Sequence, residues 1–186
     1  MPRWPGDSRE RLVGAAMRLF SEHGYAATTV DDVAAAAGVT QRTFFRHFPD
    51  KEEVLFADDE HLLAAVLAAV RAGDPRHPLA HMRRALDDVA AGLEPQEDAL
   101  RRRARVIEGD VALTGRELAK QARWTAAVAG ALGEAGYEPH RADLLAHVGF
   151  AVFRYALGAW LADAGGPGLR ERLAGAFDDL EGSFSG

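Results

Sequence analysis

Residues 29–51 read TVDDVAAAAGVTQRTFFRHFPDK, and this stretch decides the fold class. Two short helical patterns meet at a glycine. In the first, Thr29 and Asp32 have the spacing at which a capping hydroxyl and a carboxylate satisfy each other's backbone N–H groups. Val30, Val33, Ala34 and Ala37 then share one helical face. Gly38 supplies the positive φ that a tight turn between helices requires. Thr40 caps the second pattern, which runs through Phe48 and is closed by Pro49. Phe44 and Phe48 are available for inward packing, while Gln41, Arg42, Thr43, Arg46 and His47 supply an outward face rich in donors. This is the layout of a helix-turn-helix, whose second helix enters the DNA major groove. A small bundle that merely carries two arginines on its surface has the same spacing, so spacing alone leaves both readings open.

Outward from this stretch the pattern stays helical. Asp7-Ser-Arg-Glu10 has capping-box spacing, and Leu12, Ala15, Ala16, Leu19 and Phe20 repeat at helical period before Gly24. On the other side, Asp50-Lys-Glu-Glu53 caps a fourth, long helix with Val54, Leu55, Leu62, Leu63, Val66, Leu67 and Val70 as its stripe, stopped by Gly73-Asp74-Pro75. Glycine and proline signals place further helices near 77–92, 95–109, 114–135, 140–163 and 168–183. No segment alternates as a strand does. The expectation is an all-α chain of about nine helices, opening with a three-helix helix-turn-helix domain and continuing as a helical bundle.

Composition limits the function. The 186 residues carry 22 Lys+Arg against 28 Asp+Glu, a net charge of −6, so any nucleic-acid binding must be local rather than a general basic coat. There is no Cys, which excludes disulfides, a Cys-ligated zinc site and a thiol nucleophile. Met1–Gly6 has no apolar targeting segment, and a cytoplasmic location is expected. Leu144–Ala162 is apolar enough to raise a membrane span, but it contains His147 and Arg154; a helix buried in protein is expected, with no membrane partner. His77 and His81 are four apart, yet Pro78 stands where a zincin has its glutamate, so both read as surface residues. His140, Asp143 and His147 share a helical face that a divalent ion with a further partner would fit, but no metal site is assigned. No glycine-rich phosphate loop, nucleophile elbow or paired-carboxylate motif is evident, so neither catalytic residues nor a cofactor are expected.

Residues 8–56 go further than spacing. Gly24-Tyr25, Thr28-Thr29-Val30, Asp32-Val33-Ala34, Ala37-Gly38-Val39-Thr40 and the run Thr43 to Glu52 resemble, without a gap, the DNA-binding domain of the TetR family of bacterial transcriptional regulators. The resemblance implies nine or ten helices, a homodimer and a ligand-controlled repressor. Residues 1–52 would be the DNA-binding domain and 53–186 the ligand-binding and dimerisation domain. Carried onto matching positions, it implies that Thr29 and Thr40 cap helices and touch phosphates. Gln41, Arg42 and Thr43 would read base edges, and His47 and Lys51 would meet phosphates, Lys51 with the N-terminus of helix 4. The chemistry agrees: Arg chelates guanine, Gln pairs with adenine, and a Thr methyl meets a thymine methyl. The chain departs from the family at Phe45, where a tyrosine hydroxyl usually contacts phosphate; that bond is lost, or replaced by Arg46. With the acidic balance, this departure keeps open a binding module that no longer recognises DNA.

The rest of the chain is read against that expectation. The 140–163 helix is apolar around nearly its whole circumference, and with Leu169, Leu173, Phe177 and Leu180 it would form a four-helix interface across a two-fold axis. Leu62, Val66, Met82, Leu86, Val106, Trp124, Val128, Phe150 and Phe153 are core residues or the walls of an effector pocket, with Arg105, His147, Arg154 and Tyr155 as polar anchors. Arg154, on an apolar helix, needs a partner: an effector, or an acid such as Glu108 or Asp110. Arg101-Arg-Arg103 with Arg105 is a solvated face or a seat for a phosphorylated or CoA-like group. Arg116-Glu-Leu, Gln121, Trp124, Arg154-Tyr155 and Trp160-Leu-Ala-Asp163 are similar to regulators of mycofactocin gene clusters, a resemblance that implies acyl-CoA-like effectors.

Overall fold

Leu12, Ala15, Ala16 and Phe20 recur at helical spacing, and all four are buried. They form the inner face of α1 (Pro5–His23). The structure, a computed structural model, describes residues 5–183, with side chains from Ser8. Because α1 begins at Pro5, Asp7 falls inside its first turn rather than at its cap, and the Asp7 side chain and residues 1–4 lie outside the described residues. The chain continues through α2 (Val30–Ala36), α3 (Gln41–His47), a 3₁₀ turn (Glu52–Phe56), α4 (Asp59–Arg71), α5 (Pro78–Leu93) and a second 3₁₀ turn (Glu94–Gln96). It ends with α6 (Glu97–Glu108), α7 (Val111–Glu134), α8 (Pro139–Ala162) and α9 (Leu169–Ser183). The described residues contain helices and no strand.

The chain forms two compact units. One holds the residues up to Asp59 together with Arg101–Glu117; the other holds Glu60–Leu100 and the residues from Leu118. The expected division at 52/53 followed the helix pattern, whereas packing follows the core. Val54, Leu55 and Phe56 share one buried cluster with Leu12, Phe20, Val33, Phe44, Phe48, Val106, Ile107 and Leu113. Val106, read as a pocket wall, belongs to this cluster.

The fourth helix is not continuous from Asp50. Asp50 Oδ1 does accept the Glu53 N–H at 2.8 Å, but Val54, Leu55 and Phe56 are all buried in succession, more than one face of an α-helix offers. The backbone tightens to 3₁₀ geometry, and α4 starts afresh at Asp59. The break leaves carbonyls to satisfy. Arg103 Nε donates to the Leu55 carbonyl at 2.7 Å, and Arg9 donates to that of Ala57.

The second unit is built around α5, α8 and α9, with Val70, Ala90, Leu132, Ala146, Ala156, Trp160, Leu169 and Phe177 in its core. Ala142, Ala146, Gly149, Val152, Ala156 and Trp160 are the buried stripe of α8. Among the described residues α8 alone has the length and apolarity to cross a membrane. Its outer face keeps Leu144 and Tyr155 61% and 71% exposed.

Candidate functional site

The helix-turn-helix is held by reciprocal caps. Thr29 N–H and its hydroxyl donate to Asp32 Oδ2 at 2.8 and 2.6 Å, and Thr29 Oγ1 accepts the Asp32 N–H at 3.2 Å. The Thr29 bonds, hydroxyl first and then backbone, hold the Asp32 carboxyl below its ordinary range. Gly38 turns the chain at φ +65°. Thr40 Oγ1 then accepts the Thr43 N–H at 3.2 Å and lies 3.1 Å from the Thr43 hydroxyl. Phe44 and Phe48 are fully buried, each worth roughly 1.5–3 kcal/mol of apolar transfer. With those two rings inside, Gln41, Arg42, Phe45 and Arg46 are exposed together, while Thr43 and His47 are half-buried.

Two of the expected phosphate contacts are engaged within the chain. Lys51 Nζ donates to the Tyr25 and Thr28 carbonyls, each at 2.8 Å, and lies 4.0 Å from the centre of the Tyr25 ring. That uses two of its three protons. Burial first, then Glu52, Asp110 and Asp50, pushes the Tyr25 hydroxyl up to about 12. His47 Nε2 lies 3.1 Å from Ser8 Oγ. Partial burial, followed by the charges of Arg46 and Arg9, lowers the His47 pKa.

A charged cluster that sequence reading did not find lies at the end of the helix-turn-helix. Arg116 meets Glu52 at 3.1 Å, Asp50 at 3.6 Å and also Glu53. Arg103 meets Glu117 at 3.0 Å and Asp59 at 3.8 Å. The Arg103 and Arg116 guanidinium groups sit 5.1 and 4.7 Å from the Phe56 ring centre. Arg116 and its acids are more than sixty residues apart in sequence, Arg103 and Asp59 more than forty, and even Arg103 and Glu117 are fourteen apart, beyond any helical spacing rule.

In the second unit, a small apolar cavity is walled by Leu62, Val66 and Val70 of α4, Met82, Leu86 and Val89 of α5, Trp124 and Val128 of α7, and Ala146, Gly149, Phe150 and Phe153 of α8. Its free volume is about 40 Å³, room for a few waters. A separate, open cleft between α7 and α8 is lined by Leu118, Gln121, Thr125, Asp143, His147, Phe150 and Arg154 among others. Trp124 and Phe150 therefore face the cavity, and His147, Phe150 and Arg154 the cleft. Arg105 lines neither and is exposed in the first unit. Arg154 is also exposed, so solvent removes the need for a carboxylate beside it.

The histidines separate. His81 is not a surface residue: it is buried in the first turn of α5, with Nδ1 2.9 Å from the Tyr137 hydroxyl and Nε2 2.6 Å from the Val70 carbonyl. Satisfying both ring nitrogens makes its burial tolerable. His147 Nδ1 instead lies 2.9 Å from the Asp143 carbonyl. Among the described residues no group of three His, Cys, Asp or Glu gathers as a metal would require.

Comparison with known proteins divides the chain by sequence, with the 101–117 segment falling in the C-terminal match. Residues 12–57 match the family model described as bacterial regulatory proteins, tetR family, and residues 76–185, more than half of the chain, match that of the MftR C-terminal domain. The chain belongs to the TetR family. It is a TetR-family transcriptional regulator with an MftR-like C-terminal domain. It is 48% identical over 63 residues to the regulator TcmR of Streptomyces glaucescens, a match spanning 32% of this chain and 28% of that protein. A protein of Mycobacterium tuberculosis named as the mycofactocin biosynthesis regulator MftR is 29% identical over 88% of this chain and 84% of its own. Among TetR-family structures, Thermus thermophilus FadR in complex with lauroyl-CoA superposes with a TM-score of 0.58 at 25% identity, covering 95% of this chain and 94% of that one.

Proposed function

We propose that this TetR-family regulator is a cytoplasmic repressor that binds a palindromic operator as a homodimer and leaves it when a small, largely apolar effector binds. The observation that carries this reading is the exposed face of α3. Gln41, Arg42 and Arg46 stand in water on a helix whose start, turn and inner face are fixed by caps, Gly38 and two buried phenylalanines. Gln41 and Arg42 match base-edge patterns in the major groove, and Arg46 suits a phosphate. Thr29 and Thr40 serve first as caps, and for Thr29 to meet a phosphate its hydroxyl proton must turn from Asp32 to the DNA. His47 completes the backbone contacts, and Lys51 offers its third proton.

One recognition helix spans too few base pairs for useful specificity, so two copies are required. The exposed Leu144 and Tyr155 of α8 favour a two-fold interface through α8 and α9. The effector reading rests on the wholly apolar cavity lining. Similarity to MftR and to a FadR bound to lauroyl-CoA favours an acyl-CoA-like effector, with Trp124 and Phe150 against its tail and His147 and Arg154 near its polar end. Arg105 has no part in such a pocket. At about 40 Å³ the cavity is closed to such a molecule, so the effector must select an opened minor state and shift the dimer away from its DNA-competent spacing.

The test is selection of bound duplexes from a randomised library at about 100 mM salt, with Arg42→Ala alongside. Enrichment of a palindrome that the variant relaxes is the expected result. A protein that enriches nothing, both as purified and after extraction of any bound lipid, would overturn the reading.

A further inference from the structure

Phe45 presents an unusual surface for its position. It is 49% exposed on a helix face otherwise made of Gln41, Arg42 and Arg46. Its ring is not loose: it stands edge-on to the buried Phe44, with centres 5.5 Å apart and planes at 83°. A phenyl ring has no donor for phosphate, and the partner that suits it on a base edge is an apolar group. In the major groove that group is the C5-methyl of thymine. Thr43, the other side chain of α3 that offers a methyl, is half-buried, with its hydroxyl beside that of Thr40. Phe45 is more exposed than Thr43.

We propose that Phe45 is a specificity-determining residue that reads a thymine methyl in each operator half-site. This rests on the DNA-binding reading above. Phe45 lies one turn beyond Gln41 on the same stripe, about 6 Å along the helix axis. At roughly 3.4 Å per base step, its thymine falls within about two base pairs of the base that Gln41 meets.

The probe is chemical. In the selected operator, each thymine of a half-site is replaced in turn by deoxyuridine, which removes the methyl and leaves the pairing edge intact. Affinities are measured for the wild-type dimer, Phe45→Ala and Phe45→Leu. Because Phe45 is half in water, these variants retain the core, and thermal melting checks this. At one position near the Gln41 contact, deoxyuridine weakens the wild type by about fourfold per half-site, the worth of one buried methyl. The same change leaves Phe45→Ala unaffected, and Phe45→Leu falls between.

A 5-methylcytosine at that position restores part of the binding that cytosine loses. If no thymine position distinguishes wild type from Phe45→Ala, the inference is overturned. A uniform loss across all sequences in Phe45→Ala also overturns it, placing the ring on the sugar–phosphate backbone while DNA binding itself stands. Failure of the wild type to select any duplex defeats the underlying DNA reading instead.

Discussion

Arg42 and Lys51 carry the same charge within the helix-turn-helix, but only Arg42 leaves it in water. Arg42→Ala is expected to cost about 1–3 kcal/mol of operator affinity and to relax preference at one base pair, measured by titration against single-base operator variants. Lys51→Ala acts differently. It strands the Tyr25 and Thr28 carbonyls and lowers stability by about 1–3 kcal/mol, read from chemical denaturation. His47 gives the pH dependence. Burial, Arg46 and Arg9 hold its pKa below the ordinary value in the free protein, and in the proposed complex a phosphate beside it would raise that pKa. The complex then binds more protons, so affinity rises as pH falls through the bound-state pKa and levels off below the free-state one. Titrations from pH 8 to 5.5 check this, and His47→Gln should be flat. At this scale the caps at Thr29 and Thr40 were legible, because a cap reaches only three residues along the chain. The destination of Lys51 was not, because its acceptors lie more than twenty residues away.

Among the elements, α2 and α3 were readable because each carries its own start, stop and buried stripe, and α1 was readable from its stripe and its stop at Gly24, though it starts before the expected Asp7 cap. The 3₁₀ turn at Glu52–Phe56 was not. Val54 and Leu55 read equally well as the start of an α-helical stripe, and only the pocket that receives Phe56 decides otherwise. Arg103 of α6 and Arg116 of α7 lie over that ring, and Val106, Ile107 and Leu113 of the same two helices join its buried cluster. Leu113, with no exposed surface, should therefore matter to the DNA-binding unit. Leu113→Ala is expected to destabilise that unit by about 2–5 kcal/mol, seen as a shifted denaturation midpoint. The close approach of α5 to α8 gives a second expectation. A Cβ on Gly149 would stand 2.7 Å from Met82 Sδ, so Gly149→Ala drives the flexible Met82 chain toward the cavity. Binding of a dodecyl-chain probe, followed by Trp124 fluorescence, should weaken while melting changes little.

For the molecule as a whole, the all-helical architecture follows from composition and periodicity, while the grouping of helices into units does not. Net charge −6 opposes indiscriminate association with DNA, so binding should depend on a few local contacts. Replacing exposed Leu144 and Tyr155 together by Glu should yield a helical monomer with weakened operator binding, measured by sedimentation and titration. The core that Val106, Ile107 and Leu113 share with the helix-turn-helix also bears on how such regulators can be recombined. A chimera that joins residues 1–59 to a foreign effector domain would inherit a socket without its plug, leaving Val54, Leu55 and Phe56 open to solvent. The exchangeable module is therefore discontinuous, and a graft that carries the 101–117 segment together with residues 1–59 is expected to melt higher than one that leaves it behind.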